Sequence, residues 1–158
     1  MIKANVVLDH FAWKKKIKFP NLYLKNRLNK LSKIYRFKNK SQEFSILLTN
    51  NKMMKYLNKK FRKKNKSTDI LSFPYQTKKN FKRLIKSNSE IYLGDLIMNI
   101  KKMKTSTKVL FEKHFNLLWI HGLVHLFGYD HKNDSNFKKM QIIENRFLKK
   151  ILDDKFCS

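Results

Sequence analysis

The sequence holds one cysteine, two prolines, three glycines and only 11 acidic residues among 158 positions. A single thiol, Cys157, has no partner for an intrachain disulfide and excludes any multi-cysteine metal site. That thiol usage predicts a reducing compartment, the cytoplasm. No stretch approaches the roughly 18 uninterrupted apolar residues that a membrane helix needs. The apolar run Val6-Val7-Leu8 is too short for a secretory hydrophobic segment. No internal repeat and no Gly/Ser- or Pro-rich linker divides the chain, so its length predicts a single domain over residues 1–158.

Positive charge, by contrast, is abundant. Lys plus Arg is 37, which gives a formal net charge of +26. Between Asp9 and Glu43 there is no acid, and that span carries Lys14, Lys15, Lys16, Lys18, Lys25, Arg27, Lys30, Lys33, Arg36, Lys38 and Lys40. A second acid-free basic stretch runs from Lys52 to Lys66 and includes Lys59, Lys60, Arg62, Lys63 and Lys64. A composition rich in Lys, Asn, Ile and Phe accounts for lysine in place of arginine better than for missing acids. The balance predicts a polyanionic partner, nucleic acid in the first place. A helix with one clean apolar face and one basic face is not evident, which disfavours a membrane surface. With 42% hydrophobic residues, 13 of them Phe, 6 Tyr and 2 Trp, the chain is too apolar for a disordered basic tail.

Periodicity predicts a mixed α/β (α+β) fold, a small sheet of about four strands packed with helices. Strands are expected over residues 2–8, 44–49 and 69–73, the last closed by Pro74, and over 91–98 with a break at Gly94. Pro20 opens a helix with Leu24, Leu28, Leu31 and Tyr35 on one face. Asn50 or Asn51 caps the next helix, which carries Met53, Met54, Leu57 and Phe61. Residues 76–89 read as a polar loop. A helical pattern runs from about Lys101 to Phe127, in two pieces around Thr105–Thr107, and another from about Asn136 to Leu152. The last carries Phe137, Met140, Ile143, Phe147 and Ile151 inward, capped by Asp134 or Ser135.

Chemistry concentrates in WIHGLVHLFGYDH, where His121, His125 and His131 fall within eleven residues. Positions 121 and 125 share a helix face one turn apart, so two imidazoles reach one small cation. Gly128 is placed to end the helix in the left-handed conformation, and the turn returns His131 to the pair. Three neutral nitrogen ligands with a fourth position open make the catalytic form of a zinc site. Such an ion lowers the pKa of bound water to about 7 or polarises a phosphoryl oxygen. The glutamate that a zinc protease of the HExxH type requires after its first histidine is absent, and Gly122 stands there. Gly122 is open to two readings, close approach of a substrate or tight packing against a neighbouring element. Asp130 is a candidate acceptor for a ligand imidazole or a turn former, and His114 reads as structural.

HGLVHLFGYDH resembles the signature of the YbeY family of bacterial endoribonucleases and rRNA maturation factors. LNKKFRKKNKSTDILSFP at 57–74 and GDLIMN at 94–99 match in the same order. Ser67 stands where the family commonly has proline. The resemblance implies a compact α/β domain, one Zn2+ on His121, His125 and His131, and cleavage of single-stranded RNA. It further implies maturation of the 3′ end of small-subunit ribosomal RNA and ribosome quality control. The arginine of the family's central motif, taken there as catalytically important, falls on Arg62.

These readings converge on metal-dependent cleavage of an RNA phosphodiester. His121 and Arg62 are the expected catalytic residues, and Asp130 the carboxylate that orients a ligand ring. Lys59, Lys60, Arg62, Lys63 and Lys64 are the expected RNA contacts. Arg62 suits the role because a guanidinium clamps a phosphate through two hydrogen bonds. Two other functions compete: a non-catalytic, zinc-stabilised ribosome-binding assembly factor, and a metal-dependent hydrolase of another substrate, peptides included.

Overall fold

Alternating β-branched and aliphatic residues build a four-stranded sheet in the order β1-β2-β4-β3. In the computed structural model the described residues are 1–34, 41–86, 90–104, 106–131 and 133–152. Tyr35, Arg36, Lys38, Lys40, Thr105 and Cys157 lie outside them. The chain runs β1 (Ile2–Leu8), α1 (Ala12–Lys16), α2 (Pro20–Ser32), β2 (Gln42–Thr49) and α3 (Asn51–Arg62). It continues through β3 (Ile70–Pro74), α4 (Lys78–Lys86), β4 (Ile91–Asn99), a 3-10 turn (Ile100–Lys102), α5 (Lys108–Leu126) and α6 (Asp134–Leu152). β1, β2 and β4 are mutually parallel, and β3 runs antiparallel along the outer edge of β4. The α/β class, the four strands and the mixed sheet agree with the sequence reading.

Each crossover returns its helices to a sheet face, and the two faces are covered unequally. Phe44, Ile46, Leu48, Leu96 and Met98 point into one core, filled by Trp13, Leu24, Leu28, Phe115, Trp119, Phe147 and Ile151 from α1, α2, α5 and α6. Among the described residues, α3 alone covers the other face, through a small cluster of Met54, Leu71 and Ile97. α5 is apolar on almost every side, with Trp119, Ile120, Leu123, Val124 and Leu126 fully buried. Its C-terminal half belongs in the interior, and over residues 119–126 the partly exposed positions are His121 and His125. No described helix is long and apolar enough to cross a membrane.

Local signals explain most boundaries. Pro20 sits in the first turn of α2, and Asn50 caps α3 by accepting from the N–H groups of Lys52 and Met53 at 2.9 and 3.0 Å. The expected break at Gly94 is a register shift within one continuous strand, not a gap. Thr107 caps α5, and the turn at Ile100–Lys102 is the separate first piece. α6 begins earlier than expected, since Asn133 accepts from the N–H of Asn136 at 2.9 Å. Phe137 and Phe61, both expected inward, are 51% and 58% exposed.

The segment read as a loop is largely α4. Its apolar residues Phe81, Leu84 and Ile85 follow helical spacing, and Phe81 packs on Phe127 with ring centroids 5.3 Å apart. α4 is therefore a basic amphipathic helix of the kind the sequence seemed to lack. Its Phe81 is buried against the protein, so tertiary packing accounts for the apolar side.

Candidate metal centre

The two helical histidines meet tip to tip, with His121 Nε2 and His125 Nε2 3.1 Å apart. α5 ends in a Schellman turn, where the Gly128 N–H donates to the carbonyl of His125 at 2.8 Å and the Tyr129 N–H to that of Val124 at 3.3 Å. Gly128 has φ 82°, the left-handed conformation anticipated for it. The turn delivers His131, whose ring centroid lies 5.8 Å from that of His121 and 5.2 Å from that of His125. One nitrogen from each of the three falls within 4.8 Å of the others, so the trio could hold one metal ion.

Hydrogen bonds at the opposite side of the rings fix their chemistry. His121 Nδ1 lies 2.7 Å from Glu144 Oε1, and His125 Nδ1 lies 2.8 Å from the carbonyl of Tyr129. A carboxylate and a carbonyl can only accept, so each Nδ1 carries the proton and each Nε2 presents a lone pair. Two lone pairs facing across 3.1 Å repel unless a cation sits between or beside them. A zinc–nitrogen bond of about 2.0–2.1 Å at a tetrahedral angle sets nitrogens about 3.3–3.4 Å apart, close to what is found. The donor set therefore fits a small divalent ion. Burial pushes His125 below the ordinary histidine value, with the neighbouring His121 as the next cause. Its neutral, ligating form persists further into acid than that of a free histidine.

Glu144 was not anticipated. It is a carboxylate of α6 that orients the His121 ring, while Asp130, directly before His131, accepts from Asn136 Nδ2 at 3.3 Å among its contacts. A signal existed in the sequence. Met140, Glu144, Phe147 and Ile151 form one stripe of α6, and Glu144 is the charged member of an otherwise buried row. A carboxylate there needs a partner, and His121 supplies it. Glu144→Ala should weaken metal affinity about 10- to 100-fold while the three ligands remain. Titration with a competing chelator measures this, and unchanged affinity would remove Glu144 from the site.

The histidines form one wall of a cleft of about 610 Å³. Ile70, Ser72 and Pro74 of β3 line it, with Asp69, Tyr129 and Asp130, and Arg62 enters from the last position of α3. The structure thus brings Arg62 and the three histidines to one cavity. Lys63, in the left-handed conformation at φ 58°, ends α3 directly after Arg62. Buried Asn58 holds the following turn by donating to the carbonyl of Lys66 at 2.7 Å. Buried Asn99 reaches Ser67 Oγ at 2.8 Å and the carbonyl of Thr68 at 3.1 Å. Ser67, the departure from the family's proline, is thereby part of the scaffold behind Arg62. Lys59, Lys60, Lys63 and Lys64 are exposed around it.

Two other residues have settled roles. His114 accepts from the backbone N–H of Lys104 at 3.0 Å and pins the segment before α5, the structural role expected. Gly122 packs against the sheet: a Cβ there would stand 2.7 Å from Leu96 Cδ2 and 2.8 Å from Ile70 Cδ1. Of its two readings, tight packing is the one found.

The family model described as Endoribonuclease YbeY matches residues 11–152. The chain belongs to the YbeY family. It is 43% identical over 143 residues to an Endoribonuclease YbeY of Pelagibacter ubique, covering 89% of this chain and 90% of that one. It is 32% identical over 157 residues to an Endoribonuclease YbeY of Ehrlichia canis, covering 96% and 93%. The solution structure of a Thermotoga maritima protein superposes with a TM-score of 0.57 at 24% identity, over 96% of this chain and 89% of that chain, and supports the fold. In this YbeY-family chain, the histidine signature and the 57–74 segment carrying Arg62 meet in one cleft.

Proposed function

We propose that this chain is a zinc-dependent endoribonuclease that cuts single-stranded RNA in the cytoplasm, in maturation of the small-subunit ribosomal RNA 3′ end and in ribosome quality control. The observation that carries the reading is the juxtaposition of three convergent histidines and Arg62 across one cleft, on a chain of charge +26. The name borne by its relatives, endoribonuclease, agrees with it. Bound zinc would supply Lewis acidity to a phosphoryl oxygen and to water.

The chain's own residues do the rest. His121, His125 and His131 would hold the ion through neutral nitrogens, with Glu144 and the Tyr129 carbonyl keeping the first two rings in the ligating tautomer. Arg62, which lines the same cleft, carries a planar fork of donors that matches two phosphate oxygens and would balance charge accumulating on the phosphorus group. Lys59, Lys60, Lys63 and Lys64 hold the backbone without reading bases. Position 122 is occupied by glycine packed on the sheet, so the glutamate base of a peptide-cleaving HExxH site has no counterpart.

Metal analysis of the purified chain should find one zinc per chain. Cleavage of single-stranded RNA should vanish with chelator and return with zinc. Full cleavage by stripped protein, or peptide cleavage without RNA cleavage by the loaded protein, would refute the proposal. Arg62→Ala should retain the full metal content and slow turnover about 10²- to 10³-fold. Equal rates would reduce Arg62 to a surface charge.

A further inference from the structure

We infer that Tyr75 and Phe61 form a base-stacking platform for single-stranded RNA, on the far side of edge strand β3 from the histidines. The inference rests on the endoribonuclease reading above. These two rings are 71% and 58% exposed, beside a cleft that neither of them lines. Each is braced from behind by a second ring: Tyr75 by Tyr92 at 5.7 Å and 71°, and Phe61 by Phe73 at 5.6 Å and 64°. An edge-to-face contact fixes a ring without covering both of its faces. Each is also a chain neighbour of the cleft, since Phe61 precedes Arg62 and Tyr75 lies between Pro74 and Gln76, all three of which line it.

Among the described strands β3 pairs only with β4, so within the described residues its outer edge is open between the two sides. Ile70, Ser72 and Pro74 face the cleft, whereas Phe61, Phe73, Leu57 and Asp95 line a groove of about 520 Å³ on the opposite side. Arg62 joins the two, because it lines the cleft while its guanidinium lies 5.8 Å over the Phe73 ring. The charges sort backbone from base. Lys60 Nζ lies 5.4 Å over Phe61, at a rim continued by Lys63 and Lys64. In the groove the charged group is the Asp95 carboxylate, which accepts from the Tyr92 hydroxyl at 2.7 Å. That carboxylate repels phosphate and accepts hydrogen bonds from a base's exocyclic amine. A strand whose phosphates follow Arg62 and the histidines therefore turns its bases over the β3 edge onto the rings. Bases in a duplex are already stacked on one another, so only an unpaired strand uses this platform.

The test mixes metal-loaded full-length protein rapidly with single-stranded RNA carrying 2-aminopurine, reading fluorescence before cleavage and KM and kcat afterwards. Wild-type protein should quench the probe at one or two positions. Tyr75→Ala and Phe61→Ala should each abolish quenching at one position and raise KM about 5- to 100-fold. Tyr75→Phe and Phe61→Trp should retain both properties. An abasic nucleotide at the quenched position should cost the wild type this factor and the variant nothing further. Unchanged quenching and KM in the Tyr75→Ala, Phe61→Ala double variant would overturn the platform and leave the groove to a protein partner. RNA neither bound nor cut by the wild type would instead overturn the endoribonuclease reading beneath it.

Discussion

His121→Ala should yield a folded protein that has lost its metal and its RNA cleavage together, with the rate down at least about 10³-fold, because the ion's several kcal/mol of charge stabilisation leave with the ligand. The side chain is 33% exposed and lines a cleft, so its removal opens no core cavity. It does strip Glu144 of its partner, but that carboxylate is also partly exposed, at 22%, and can be hydrated. His125→Ala should behave alike, since His125 Nε2 faces the same point. The paired measurement is decisive: metal content by elemental analysis, and cleavage of single-stranded RNA by the same preparation. Metal retained at one equivalent with activity gone would separate binding from chemistry and reassign His121. Activity retained without metal would refute a metal-dependent mechanism altogether.

Gly94→Ala should damage the fold severely. Gly94 has φ 135°, and a Cβ placed on it would stand 2.2 Å from the carbonyl oxygen of Phe73 and 2.9 Å from the backbone nitrogen of Tyr75. Both are backbone atoms of the β3 side of the ladder, where Pro74 pairs with Gly94 and the Tyr75 N–H donates to Leu93 at 2.9 Å. A flexible side chain could swing aside, whereas a strand must separate. Backbone strain of about 1–3 kcal/mol and overpacking of about 1–3 kcal/mol add to roughly 2–6 kcal/mol. For a chain of this size that lowers the melting temperature by about 5–20 °C. Since β3 forms a wall of the cleft, activity should fall with it. A melting temperature within about 2 °C of wild type would show that the ladder gives way more easily than its geometry implies.

Which parts were legible in the sequence follows from the range over which each signal acts. The histidine pair, the turn at Gly128 and the cap at Asn50 are local rules, read within five residues and found in place. Glu144 was missed because it reaches His121 from 23 residues away, through the docking of α6 on α5. No spacing rule reports such a contact, although the charged residue in an apolar stripe hinted at it. α4 was missed because three apolar residues in a basic segment are a weak pattern until Phe127 provides a surface for them. The exposure of Phe61 was invisible for the converse reason. Its helical spacing matches the core face of α3, but the cluster beneath that helix is small and leaves Phe61 58% exposed.

The junction of α5 and α6 has one more implication. The ion's prospective ligands and the carboxylate behind them come from two helices and the turn joining them, so occupancy and the docking of α6 are reciprocally linked. Whatever loosens the last helix speeds escape of the ion, and whatever fills the site tightens that helix against its neighbour. The catalytic centre would thereby double as a clasp for the C-terminal third of the chain.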